Sequence, residues 1–219
     1  ILALQHESIF AREYANGLKK PDYWKPTLED SLNLTAKLPT IAAYIYNLKY
    51  RNGQDIPIDL DLDWSTSFAQ MIGKGDDKEY QELTRLFFIL HADQESGNVS
   101  AHTWHLGGSA LSDGYYSCSA GMNGLAGPLH GVANQECLRW LLKVRSEFNG
   151  NPTREQLEQF TWDTLNKGKV IPGYGHGVLR STDPRFTAQL EFGRKYMKDD
   201  ELFQLVEMVY DVVPQVLSQ

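Results

Sequence analysis

The segment Val170 to Arg185, VIPGYGHGVLRSTDPR, constrains the chain more than any other stretch. Three glycines, two prolines, one histidine and two arginines fall within sixteen positions. Pro172, Gly173, Gly175 and Gly177 deny the backbone a stable helix and suit it to tight turns in which peptide groups can approach a ligand. Whatever surrounds it, the chain breaks here. His176 sits in the middle of the turn, and Arg180 and Arg185 follow it with guanidinium groups shaped for carboxylate or phosphate. Taken alone, the segment reads equally as a flexible connection between helices with solvated arginines.

On either side of this break the pattern is helical. Phe10, Tyr14 and Leu18 form an early stripe, and Pro26 and Pro39 are placed to open two successive helices, Thr27 to Lys37 and onward through Tyr46. The stretch Arg51 to Asp63, with its turn dipeptide and alternating aspartates, is predicted to be a surface loop. Asp77 then starts a helix carrying Tyr80, Leu83, Phe87 and Leu90 on one face. Between Gly97 and Gly127 small residues dominate, which permits close approach of helices. Pro128 is expected to open a long helix with the stripe Cys137, Trp140, Leu141, Val144 and Phe148. Leu157, Phe160 and Leu165 mark the next. Asp183, Pro184 and Arg185 then read as N-cap, N1 and N2 of a helix running through Tyr196, followed by a last one from Leu202. The fold class expected is all-α.

Composition excludes several functions. At 219 residues with 42% hydrophobic side chains the chain can build a proper core. A net charge of −7 and a pI near 5.4 argue against a general nucleic-acid or anionic-membrane surface, so any anion site must be local. No apolar run approaches the roughly 20 residues of a membrane helix. Cys118 and Cys137 are too few for a disulfide framework and read as core thiols. His91, His102 and His105 invite a metal reading, but no cysteine or carboxylate pattern completes a ligand set, and no metal is expected.

A second unusual stretch is Gly121 to Leu138, GMNGLAGPLHGVANQECL, with His130 between Pro128 and Gly131. A third is His91 to Asp113, HADQESGNVSAHTWHLGGSALSD. The three blocks together, in this order and spacing, resemble citrate synthase, most closely the eukaryotic form. The likeness extends from Ser8 to about Leu217.

The resemblance implies a multi-helical homodimer with a large and a small domain, residues 1–133 belonging to the first and 134–219 to the second. It implies condensation of acetyl-CoA with oxaloacetate, with acetyl-CoA as co-substrate and no tightly bound cofactor. His130 matches the residue that donates to the acetyl carbonyl oxygen as the enolate forms. His176 matches the donor to the oxaloacetate carbonyl, and Arg185 matches a carboxylate-binding arginine. Arg180 matches a coenzyme phosphate contact. Backbone groups of Val170, Ile171, Gly173 and Tyr174 match the turn that recognises adenine. The chain would be an internal fragment of a mitochondrial matrix enzyme, with the catalytic aspartate and two further arginines beyond Gln219.

One block departs from the family pattern. HxDHEGGN stands here as HADQESGN, with Gln94 in place of a second oxaloacetate-binding histidine and Ser96 in place of glycine. A glutamine amide still donates to a carbonyl but cannot carry charge. Because the motifs are shared by both enzymes, 2-methylcitrate synthesis from propionyl-CoA stays open beside citrate formation, and Gln94 leaves open a non-catalytic structural or filament protein on the same scaffold.

Overall fold

The computed structural model describes residues 1–92 and 97–218, and no strand occurs among them. The chain forms two compact units, Ile1–Leu125 and Ala126–Gln219. Their boundary falls inside the glycine-rich stretch, ahead of residue 134, so the turn carrying His130 goes with the second unit.

Among the described residues the first unit holds six α-helices: α1 (Ile9–Ala15), α2 (Trp24–Tyr50), α3 (Trp64–Met71), α4 (Lys78–His91), α5 (Val99–Ser109) and α6 (Gly114–Leu125). The start of α1 is fastened to α2 by one carboxylate. Asp30, 1% exposed, accepts from the Ser8 hydroxyl at 2.7 Å and from the backbone N–H groups of Ile9 and Phe10 at 2.7 and 3.1 Å. A negative group against the unsatisfied N–H groups of a helix start is favourable on both hydrogen-bond and dipole grounds.

The sequence placed a helix start at Pro39, and this is corrected: α2 runs unbroken from Trp24 to Tyr50 with Pro39 inside it. An interior proline costs about 3 kcal/mol. Against it stands a continuous buried face, Leu34, Pro39, Ala43 and Asn47, that packs on both sides of the proline. Each large apolar side chain removed from water returns about 1.5–3 kcal/mol, and Asn47 adds a buried donation to the Met71 carbonyl at 2.8 Å. Packing outweighs the lost backbone bond. Pro26 causes no break either, because it lies in the first turn, where N–H groups have no intrahelical partner.

Helices α5 and α6 approach as closely as their small residues suggest. A Cβ on Gly121 would lie 2.9 Å from the Ser100 carbonyl oxygen, and one on Gly124 would lie 2.8 Å from Val99 Cγ1. The loop before α3 ends at Asp63, whose carboxylate caps the helix and meets Arg85 of α4 at 2.7 Å.

The second unit holds α7 (Ala133–Glu147), α8 (Arg154–Asn166), α9 (Pro184–Tyr196) and α10 (Glu201–Leu217). Its core joins Trp140, Leu141 and Val144 of α7, Leu157 of α8, and Leu205, Val209, Val212, Val213 and Val216 of α10. Of the stripe read from sequence, Trp140, Leu141 and Val144 are buried, and Cys137 and Phe148 are partly buried against them. Ile171, 2% exposed, reaches this core from the loop between α8 and α9.

Candidate active site

The α8–α9 loop is anchored at its start by a β-turn. The Tyr174 N–H donates to the Ile171 carbonyl at 3.2 Å, with Pro172 and Gly173 between them and Gly173 at φ +90°. Proline followed by a positive-φ glycine is the requirement of a type II turn. Glycine is doubly needed here, since a Cβ would also stand 3.2 Å from Cys137 Sγ. Both ends of the turn are tied inward. Ile171 enters the core, and the half-buried Tyr174 donates its hydroxyl to the Val209 carbonyl at 2.9 Å. Burial raises the Tyr174 pKa well above the ordinary phenol range, so it remains a neutral donor. Burial likewise raises the Cys137 thiol pKa, and its sulfur lies 3.8 Å from the Pro172 carbonyl oxygen. The exposed Val170 and the partly buried Pro172 border a groove of about 430 Å³ between α7 and α8, whose charged lining is mixed, with Arg139, Lys143, Lys167 and Lys169 beside Glu136, Glu147 and Asp163.

Beyond Tyr174 the loop organises around His176. Its Nδ1 accepts from the backbone N–H groups of Val178 and Leu179, at 3.1 and 3.0 Å. A ring nitrogen that accepts two donors is the unprotonated one, so in the neutral ring the proton is carried by Nε2. His176 is exposed. The result is a fixed imidazole with an Nε2–H donor to offer.

Arg180, matched in the sequence to a coenzyme phosphate contact, folds back onto its own loop. Its guanidinium donates to the carbonyls of His176 at 2.8 Å, Gly177 at 3.1 Å and Leu179 at 3.2 Å. The several N–H donors of one guanidinium satisfy three loop carbonyls at once.

Arg185 stands where the sequence put it, at the second position of α9. Asp183 caps that helix by accepting from the Arg185 N–H at 2.9 Å. The same carboxylate receives Arg185 Nε at 3.0 and 3.1 Å and Nη2 at 2.6 Å. The guanidinium holds the Asp183 pKa below its usual value, with His176 contributing a smaller lowering effect. The sequence named Asp183 only as a cap. The signal for its second role was the spacing, because an N-cap carboxylate two residues before an arginine shares one helical turn with it.

His130 lies in a run of turns, not at a helix start, and the expected helix opening at Pro128 is corrected to Ala133. The Gly127 carbonyl accepts from the N–H groups of His130 at 3.0 Å and Val132 at 3.3 Å, and the His130 carbonyl accepts from Ala133 at 3.1 Å. These bonds wind residues 127–133 into a tight approach to α7, with Val132 as its N-cap. His130 is partly buried there, while its neighbour Leu129 is 98% exposed. Gln94 and Ser96 lie outside the described residues. No group of three or more metal-ligating side chains occurs among the described residues, and no helix among them is long and apolar enough to cross a membrane.

The family model for the citrate synthase C-terminal domain matches residues 2–219. The chain belongs to the citrate synthase family. Its relatives include the mitochondrial citrate synthase 4 of Arabidopsis thaliana, 54% identical over 219 residues, which is 100% of this chain and 46% of the relative. The mitochondrial 2-methylcitrate synthase of Yarrowia lipolytica is 53% identical over 218 residues, covering 99% of this chain and 47% of that protein. Among solved structures, citrate synthase from Pyrobaculum aerophilum superposes with a TM-score of 0.78 at 28% identity, over 93% of this chain and 49% of that one. The all-α architecture is thus that of citrate synthases. The chain spans about half the length of the curated relatives it matches.

Proposed function

We propose that this chain supplies part of the active site of a citrate synthase that condenses acetyl-CoA with oxaloacetate to give citrate and CoA in the tricarboxylic acid cycle. The observation that carries this reading is the local geometry of His176. Two backbone amides hold its Nδ1, and the Nε2–H is left as a directed donor. Such a donor polarises a ketone carbonyl and stabilises the negative charge that gathers on its oxygen as a carbanion adds. A preorganised donor of this kind lowers a barrier by about 2.7–4 kcal/mol.

The other roles follow the same chemistry. Arg185, oriented by Asp183, binds an oxaloacetate carboxylate. His130 donates to the acetyl carbonyl oxygen while a base removes the methyl proton. The groove beside Val170 and Pro172, where Lys143, Lys167 and Lys169 offer cations, suits the adenosine phosphate end of the coenzyme, and the turn Val170, Ile171, Gly173, Tyr174 offers backbone groups to the base. Acetyl-CoA acts as co-substrate, and no tightly bound cofactor is required. The first unit corresponds to part of a large domain and the second to part of a small one.

The enzyme works in the mitochondrial matrix, a reading supported by the mitochondrial citrate synthases among its relatives. It forms a homodimer through the first unit, where Trp104, Leu106, Tyr116 and Met122 of α5 and α6 remain exposed. Propionyl-CoA is the second reading of the acyl donor, favoured by the likeness to the Yarrowia lipolytica enzyme. Parallel assays of CoA release with acetyl-CoA and propionyl-CoA, on a family-length protein carrying this sequence, separate the two. A higher kcat/KM for propionyl-CoA would replace citrate by 2-methylcitrate as the product.

A further inference from the structure

We propose that Arg180 is a positioning residue for His176, fixing the imidazole through the peptide planes of the loop. This deepens the proposed function and rests on His176 as the histidine that meets the oxaloacetate carbonyl. Among the described residues, the loop after Tyr174 has few other ties. Val178 is 62% exposed, and a 3.5 Å contact between the Thr182 and Tyr210 hydroxyls is the loop's next side-chain tie before α9. In this stretch three carbonyls, those of His176, Gly177 and Leu179, converge on one guanidinium.

The consequence for the histidine comes from the planarity of the peptide bond. In a trans peptide the C=O of one residue and the N–H of the next point in opposite directions. When Arg180 Nη2 draws the Gly177 carbonyl to one side at 3.1 Å, the Val178 N–H is turned to the other, where it meets His176 Nδ1 at 3.1 Å. The grip on the His176 carbonyl at 2.8 Å fixes the backbone from which the ring itself projects. Donor and ring are therefore set by the same cation. Five N–H donors in one planar fork allow an arginine to span several carbonyls at once, whereas a lysine ammonium offers a compact point charge.

The test uses the 219-residue chain uniformly labelled with nitrogen-15, comparing wild type, Arg180→Ala and Arg180→Lys. The wild type should show His176 Nδ1 as an unprotonated acceptor in a single ring environment, with slowed exchange of the Val178 and Leu179 amide protons. Arg180→Ala should speed exchange of both amides by about tenfold and move the ring signals toward those of a free imidazole. Arg180→Lys should fall between them, and it serves alone if the alanine variant does not fold. Unchanged His176 signals and unchanged amide exchange in the folded variants would overturn the proposal.

Kinetics on the family-length protein give the independent readout. Positioning predicts a lower kcat for Arg180→Ala with oxaloacetate and acetyl-CoA both saturating. A rise in the KM for acetyl-CoA with kcat unchanged would mean that Arg180 serves the coenzyme only, and would also overturn the proposal. An inactive wild type that keeps the nitrogen-15 pattern would count against the citrate synthase reading and leave the positioning relationship intact.

Discussion

Asp183 caps α9 through the Arg185 N–H and grips the Arg185 guanidinium with the same carboxylate, the closest contact being 2.6 Å. One residue thus both caps the helix and holds the arginine. Asp183→Asn keeps an acceptor for the cap but loses the charged partner, whereas Asp183→Ala loses both. The alanine variant should be less stable than the asparagine variant by about 1 kcal/mol in urea unfolding, the usual value of a lost N-cap.

The pH dependence of that pair has a definite sign. Because Arg185 lowers the Asp183 pKa in the folded state, the stabilisation is complete above the ordinary aspartate value of about 4. It is lost as pH falls through the lowered value. The stability difference between wild type and Asp183→Asn should therefore be present at neutral pH and shrink in strong acid. A difference that grows on acidification would show that the carboxylate is not held by the guanidinium.

Arg185→Lys keeps the charge but not the planar fork. Calorimetry with oxaloacetate should show weaker binding by about 1.5–3 kcal/mol, the scale of a charge-assisted hydrogen bond. Equal affinity in the two proteins would remove Arg185 from the substrate site.

Close packing in the first unit gives a contrast between two helical glycines. A Cβ at Gly121 would meet the Ser100 backbone oxygen at 2.9 Å, whereas one at Gly108 would meet Ser117 Oγ at 3.9 Å. Gly121→Ala should force α5 and α6 apart and destabilise by about 1–3 kcal/mol. Gly108→Ala should be neutral or stabilising by about 0.5–1 kcal/mol, because alanine favours the helix and finds room. Thermal unfolding of the two variants decides it.

The helices were legible because apolar side chains recur at helical spacing, as on α7, where Trp140, Leu141 and Val144 are the residues buried. Pro39 misled because a local rule about backbone donors was outweighed by burial on both sides of it, which single-residue chemistry does not display. Pro128 misled because the chain winds through turns first, closed by hydrogen bonds to the Gly127 and His130 carbonyls, and the helix begins only at Ala133. At the site, Asp183, Pro184 and Arg185 were legible because capping is local. The folding of Arg180 onto the carbonyls of residues 176, 177 and 179 was not, since it depends on loop carbonyls converging in space. Gln94, the departure from the family pattern, lies outside the described residues, and its consequence is open to kinetics on Gln94→His and Gln94→Ala.

The most direct test of the central claim is the initial rate of CoA release from acetyl-CoA, with and without oxaloacetate, for the family-length protein carrying this sequence and for its His176→Ala variant. The account predicts oxaloacetate-dependent release by the wild type and a fall of about 10²–10³ in kcat for the variant, the loss typical of one preorganised donor to a developing oxyanion. A wild type that releases no CoA in response to oxaloacetate, or a His176→Ala variant as fast as the wild type, would contradict it.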